Sequence, residues 1–300
     1  MLKPQRLRAG DLIAIAAPGS PIREEFLERG VAEIESMGFR CRYDQTIFSR
    51  YRYLAGSDER RADELLTYLA EPEVKAILFA RGGFGTARIL NRLPSSVFDR
   101  PKILCGYSDL TALHLCVHAE ANWVTFYGPM AAWELGRGDQ SYDKASFLSA
   151  ISGEVQVFSN LRVIRRRPAV RGLLLGGCLS LLQSAIGTPL MPNLSGSILL
   201  LEDEGVKPYQ LDRMLLHLRQ SGSLEGVRGI VFGEMPGCMQ VDHQGYEIAD
   251  VIEDITPAGI PVAMNLPAGH AVRVATIPLG IEAELDSASN TLRLLEAAVT

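Results

Sequence analysis

No run of apolar residues in this 300-residue chain is long enough to cross a membrane. The one early apolar run, Ala14-Ile-Ala-Ala17, stops at Pro18, and the basic residues before it are not followed by the core of an export signal. Basic charge is not in excess. Thirty Lys and Arg stand against 35 Asp and Glu, a net charge of −5, which gives no electrostatic reason to expect nucleic acid or an anionic membrane as a partner. Cysteine is scarce and scattered: Cys41, Cys105, Cys116, Cys178 and Cys238 are odd in number, lie mostly among apolar residues and lack metal-ligand spacing. That excludes a disulfide scaffold or a zinc cluster and suits reduced thiols in the cytoplasm. There is no internal repeat and no low-complexity segment. The remaining composition, 47% hydrophobic and 22% charged, is that of an ordinary globular protein, and the length favours two domains.

The first half alternates buried strands with amphipathic helices. Strands are expected at Asp11–Ala17, from Cys41, at Val74–Phe79, at Ile103–Cys105 and at Trp123–Tyr127. Helices are expected over Glu24–Met37, with Phe26, Val31 and Ile34 inward, from Ser57, with Ala62, Leu65, Leu66 and Leu69 inward, after Asp109, and over Asp143–Ile151. Strands that are apolar throughout predict a parallel α/β sheet covered on both faces, with ligands beyond the carboxyl ends of its strands. A mixed stretch, 153–168, ends in Arg165-Arg-Arg167 and reads as a linker with a solvated charge cluster between an N-terminal domain (1–152) and a C-terminal one (169–300). The second half predicts strands at 171–178, 197–201, 227–233 and 260–264, helices at 179–186, 209–220 and 246–255, and three short strands in the tail.

Four places carry chemistry. Gly106-Tyr-Ser108 leaves little room between a strand and a helix, which would expose the Ser108 hydroxyl at a nucleophile elbow; Leu110 stands where G-x-S-x-G has its second glycine, and a helix N-cap is the competing role. Arg81-Gly-Gly-Phe-Gly85 follows a neighbouring strand and offers amides either to an oxyanion or to a tight turn; it matches neither G-x-G-x-x-G nor a P-loop. Glu202 ends an apolar strand, where a carboxylate is costly unless paired. Side chains alternate, so Glu202 and Glu204 share a face and Asp203 points away; Glu202 is the better held of the two. His270 lies in an irregular loop that can reach another domain. His114 and His118, four apart, lack the glutamate of H-E-x-x-H and read as ordinary helix residues, as do His217 and His243 in their helix and loop.

With these residues in hand, the chain resembles the LD-carboxypeptidases, the serine peptidase family of muramoyltetrapeptide carboxypeptidases and microcin-immunity peptidases. The matching pieces are Ala16-Ala-Pro-Gly-Ser20, Ala80-Arg-Gly-Gly-Phe-Gly85, Gly106-Tyr-Ser-Asp109, Tyr127-Gly-Pro-Met130, Gly176-Gly-Cys-Leu179, Leu201-Glu-Asp203 with Tyr209 and Asp212-Arg-Met214, and Asn265-Leu-Pro-Ala-Gly-His270. The resemblance implies a Ser108–Glu202–His270 triad, an oxyanion hole of the Gly83 and Asp109 amides, and an amidotransferase-like α/β N-terminal domain with a smaller β/α C-terminal domain, the site lying in the cleft between them. It further implies a cytoplasmic homodimer that needs no metal or cofactor and removes the terminal D-alanine from a murein tetrapeptide. Arg81, with Gly82, is a substrate-binding candidate by position. One departure is that Gly205 is followed by Val206 and Lys207, where many members carry glutamate. A microcin-immunity-type hydrolase of acyl–nucleotide conjugates and a non-catalytic ligand-binding protein are the alternatives; the only tryptophans, Trp123 and Trp133, lie in neither the linker nor the C-terminal half.

Overall fold

The computed structural model describes residues 1–239 and 245–300. β1 (Leu12–Ala16) is apolar and buried at every position, as expected of a strand covered on both faces. After it come α1 (Glu24–Ser36), β2 (Arg40–Arg42), α2 (Asp58–Ala70), β3 (Val74–Phe79), β4 (Ile103–Cys105), α3 (Thr111–Ala121), β5 (Thr125–Tyr127) and α4 (Lys144–Ser152). The chain continues through β6 (Val157–Phe158), β7 (Arg162–Arg165), β8 (Val170–Cys178), α5 (Leu179–Ala185), β9 (Ile198–Glu202), α6 (Pro208–Gln220), β10 (Gly229–Gly233), α7 (Ile248–Ile255), β11 (Val262–Leu266), β12 (Ile277–Leu279), β13 (Glu282–Asp286) and β14 (Thr291–Leu294).

Two sheets result. The first has the order β12-β5-β4-β3-β1-β2 and is parallel except for β12, which runs antiparallel to β5. The second has the order β6-β14-β13-β8-β9-β10-β11-β7, with β8 to β11 parallel and antiparallel strands at both edges. The fold is therefore α/β, as expected. Two local expectations differ. The stretch 153–168 contains β6 and β7, each hydrogen-bonded at an edge of the second sheet; short edge strands of mixed polarity carry almost no periodic signal. Arg165 is not part of a solvated cluster: it is 8% exposed and donates to the carbonyls of Glu253 and Pro257 and to the Thr256 hydroxyl. β12, although late in the chain, extends the first sheet.

Local sequence explains the helices that support the site. α2 starts at Ser57, whose hydroxyl accepts from the Arg60 amide at 3.2 Å, and Asp58 and Glu59 complement the positive end of its dipole. The buried stripe of α1 is Leu27, Gly30 and Ile34, with Phe26 and Val31 on its flanks. The stripe centres on Gly30 because a β-carbon there would lie 2.8 Å from the Ala131 carbonyl carbon, so only glycine lets α1 press onto the wide turn Ala131–Leu135. The two sheets join through the glycines of β8. A β-carbon at Gly177 would meet Thr111 Oγ1 at 2.7 Å, and the Cys178 amide donates to that same oxygen at 3.0 Å.

Candidate active site

β4 delivers Ser108. A side chain at Gly106 would lie 3.0 Å from Phe79 and 3.1 Å from Leu110, so the corner closes only with glycine. Leu110, fully buried, fills the space that a second glycine leaves open in G-x-S-x-G. Ser108 itself takes φ = +62°, a left-handed conformation that costs a non-glycine residue roughly 1–3 kcal/mol and marks a position held by its surroundings. A short 3₁₀ turn, Ser108–Leu110, leads into α3, and neither helix start uses the Ser108 hydroxyl as a cap. The capping role is thereby excluded. Among the described residues the hydroxyl has no hydrogen-bond partner, His270 included, whereas the Ser108 amide donates to Tyr127 Oη at 3.2 Å and its carbonyl accepts from the Thr111 amide. Unliganded sites often show such loose nucleophile–base geometry, which tightens around substrate.

β9 and the loop after β11 deliver Glu202 and His270. Glu202 is 1% exposed, and burying its charge would be costly without partners. It has three: the Tyr127 hydroxyl at 2.5 Å, the His270 amide at 3.0 Å and His270 Nδ1 at 2.8 Å. Glycine makes this approach possible. A β-carbon at Gly233 would lie 2.6 Å from Glu202 Cβ, and one at Gly269, where φ is +68°, would be 2.6 Å from Glu202 Cγ and nearer still to the carboxyl carbon. Because the carboxylate accepts from Nδ1, the N–H lies on Nδ1 and the lone pair on Nε2. Burial works against an imidazolium here, but the Glu202 hydrogen bond and the charges of Glu202, Glu204 and Asp203 outweigh it and raise the His270 pKa above its ordinary value. Glu204 is exposed, with its carboxylate 3.7 Å from Nε2. Asp203 points the other way, accepting from the Ser180 amide at 2.9 Å.

Three further residues were not singled out by sequence. Tyr127, at the end of β5, bridges the Ser108 amide and the Glu202 carboxylate through one hydroxyl, whose pKa is driven up by burial and the Glu202 charge. Tyr107 packs edge-to-face on the His270 ring, with centroids 5.1 Å apart, and donates to Glu134 at 2.6 Å. Glu134 is 4% exposed, and burial pushes its pKa up to about 7. Tyr127 and Tyr107 lie inside the quoted sequence pieces, but nothing local marks their partners.

The end of β3 faces the same corner. A β-carbon at Gly82 would lie 3.1 Å from Ser108 Cβ and 3.4 Å from the Asp109 nitrogen. Gly83 has φ = +91°, and among the described residues its amide and that of Asp109 have no protein acceptor. The Asp109 carboxylate caps the turn beyond, accepting from the Thr86 amide at 2.8 Å and hydroxyl at 2.7 Å. Arg61, wholly buried, donates to the carbonyls of Pro18 and Gly85 and so ties the loop after β1 to the loop after β3. Among the described residues Arg81 has no carboxylate partner; it stacks on Trp133 at 4.7 Å and donates to the Pro21 carbonyl at 3.3 Å. His114 and His118 are pushed down to about 4 by burial, and His114 bonds the Gly106 carbonyl at 2.8 Å. His217 pairs with Gln183 at 2.8 Å, and His243 lies outside the described residues. Among the described residues no group of three or more His, Cys, Asp or Glu side chains is placed to hold a metal ion.

Comparison with known proteins bears on this geometry. The model of the LD-carboxypeptidase N-terminal domain matches residues 13–128, and that of the C-terminal domain matches residues 171–285. The chain is similar to the probable murein peptide carboxypeptidase of Bacillus subtilis, with 34% identity over 306 residues, covering 99% of this chain and 95% of that one. It is also similar to the crystal structure of muramoyltetrapeptide carboxypeptidase from Oxalobacter formigenes, with TM-score 0.87 and 30% identity over 94% of this chain and 97% of that one. MccF in complex with glutamyl sulfamoyl guanosine has a similar fold, with TM-score 0.91 and 21% identity, each chain covered in full. A left-handed serine, a buried glutamate on a histidine, and two matching domain models over most of the length point the same way: the chain belongs to the LD-carboxypeptidase family of peptidases.

Proposed function

We propose that this protein is a serine LD-carboxypeptidase that removes the terminal D-alanine from murein tetrapeptides, with Ser108 as nucleophile, His270 as base and Glu202 as the orienting acid. The observation that carries the reading is the Glu202–His270 pair, 2.8 Å apart, tied through Tyr127 to the backbone of a serine with φ = +62°. Ser108 Oγ attacks the carbonyl before the D-residue while His270 Nε2 takes its proton. The oxyanion forms against the free amides of Gly83 and Asp109, each such donor being worth roughly 3 kcal/mol in acyl transfer. His270 then returns the proton to the departing amine. A water molecule, deprotonated by the same nitrogen, releases the acyl group. In this reading residues 1–152 carry the nucleophile and 169–300 the acid and base. A cytoplasmic setting and a homodimer are carried over from the family resemblance; five unpaired thiols, four of them buried, fit the former.

Mass spectrometry of a murein tetrapeptide digest tests the reading. Loss of one D-alanine is expected, abolished by Ser108→Ala, absent with the all-L peptide and retained under extensive chelation. Equal cleavage of the all-L peptide, or activity recovered only on adding zinc, refutes it.

A further inference from the structure

Between the start of α1, the loop after β3 and the wide turn Ala131–Leu135 lies a cavity of about 260 Å³ walled by Arg23, Arg81 and Arg137 together with Ile22, Phe26, Ala132 and Trp133. Every ionisable side chain on its wall is an arginine, a group that stays charged at any working pH. Neither Arg81 nor Arg137 forms an ion pair among the described residues, and Arg23 has only Glu25, at 3.6 Å with both side chains exposed. Glu134, three residues before Arg137, is coupled to it by charge alone, the least of the influences on that carboxyl, because its oxygens are taken by the Tyr107 hydroxyl at 2.6 Å and the Met130 amide at 3.0 Å. Three like charges around one small space repel one another unless an anion enters.

The arginines are also prepared to bind one. The Arg137 guanidinium lies 3.5 Å from the centre of the Trp133 ring and that of Arg81 lies 4.7 Å from it. Stacking holds a guanidinium by its face and leaves the N–H donors on its edge free, the arrangement that receives a carboxylate through two parallel hydrogen bonds. Arg81 uses one donor, on the Pro21 carbonyl. Arg137 has no hydrogen-bond partner among the described residues. Arg81, on the cavity wall, directly precedes Gly82, where a β-carbon would lie 3.1 Å from Ser108 Cβ, so the cavity and the Ser108 corner share the loop after β3.

We propose that this cavity is an anion subsite in which Arg81 and Arg137 bind a carboxylate of the peptide substrate. The proposal rests on the peptidase reading above. Two sources share the chemistry: the terminal carboxylate beside the scissile bond, and that of an acidic residue farther along the peptide.

Binding to the Ser108→Ala protein, measured by calorimetry, separates them without turnover. Three ligands are compared: the free-acid tetrapeptide, its C-terminal amide, and the tetrapeptide in which the acidic residue is amidated. Arg137→Gln in this background should weaken the free acid about tenfold. The penalty should fall below twofold on the one ligand whose responsible carboxylate has become an amide, which identifies the source. Arg137→Lys, keeping the charge but losing the fork, should weaken it less. The subsite is overturned if Arg137→Gln changes free-acid binding less than twofold, or if its penalty persists on both amides. Should D-alanine release fail while this cycle holds, the catalytic reading falls and the subsite stands; release with a silent cycle refutes the subsite alone.

Discussion

Glu202→Gln tests the site most sharply, because the hydrogen bonds around the carboxylate dictate how the amide must sit. Oε2 accepts two donors, the His270 amide and Nδ1, and Oε1 accepts the Tyr127 hydroxyl. With its NH₂ toward His270, the glutamine would face a backbone N–H, leave it unpaired and force the proton to Nε2. Turned the other way, its oxygen keeps both His270 donors and its NH₂ donates to Tyr127 Oη, stranding only a hydroxyl hydrogen that can rotate. An unpaired buried donor costs about 1–3 kcal/mol, and the first orientation adds donor–donor repulsion, so the second wins. His270 therefore keeps its productive tautomer and loses only the negative charge behind it. A serine protease that loses its tautomer drops about 10⁴-fold in turnover; losing the charge alone should cost about 10²–10³, or roughly 3–4 kcal/mol. The pH profile gives an independent reading. His270 must be neutral to act as base, so kcat/KM rises with pH through its pKa. Glu202 helps to hold that pKa above its ordinary value, against burial. Removing the charge must therefore move the acidic limb to lower pH. Steady-state kinetics across pH and ¹⁵N spectra of the imidazole check both. An Nε2–H tautomer in the variant, or an unmoved limb, refutes the reasoning.

Two further predictions concern the same carboxylate and its neighbour. Gly269→Ala drives a β-carbon to 2.6 Å from Glu202 Cγ at φ = +68°, so it should destabilise the fold by at least about 1 kcal/mol and abolish most activity; unchanged urea unfolding and turnover would show that the loop yields. Glu204→Gln removes an exposed charge 3.7 Å from Nε2, so kcat should fall less than about tenfold and the acidic limb should shift slightly down; a loss matching that of Glu202→Gln would make Glu204 the orienting acid.

The proposed triad residues stood out in the sequence because each combines a costly position with a chemical reason to occupy it: a serine on a cramped corner, a carboxylate ending a strand of buried leucines, a histidine on a loop that can cross to another element. Central strands such as β1, β4 and β10 were legible for a simpler reason, being apolar at every position. Other features depend on partners distant in the chain. Arg61 reads as a helix surface residue, yet it is wholly buried because the Pro18 and Gly85 carbonyls need its donors. Glu134 opens a stretch that turns polar, but the Tyr107 hydroxyl and the Met130 amide draw it inside. The strands β6 and β7 exist only because the second sheet offers open edges to them.

Tyr127 shows why such partners escape local reading and still control the chemistry. Its phenol ends a three-residue buried strand, and by type it is an ordinary core aromatic. Its hydroxyl nevertheless meets two groups at once, the amide of a residue 19 positions earlier and the carboxylate of one 75 positions later. With its proton committed to Glu202, the oxygen is free to accept from Ser108, which helps to fix that residue in its left-handed conformation. One hydroxyl thus couples the strained backbone of Ser108 to the Glu202 carboxylate behind His270, and it does so across the junction of the two sheets. The register that sets β8 against α3 and β5, through Gly177 and Thr111, is consequently part of the geometry of the proposed site.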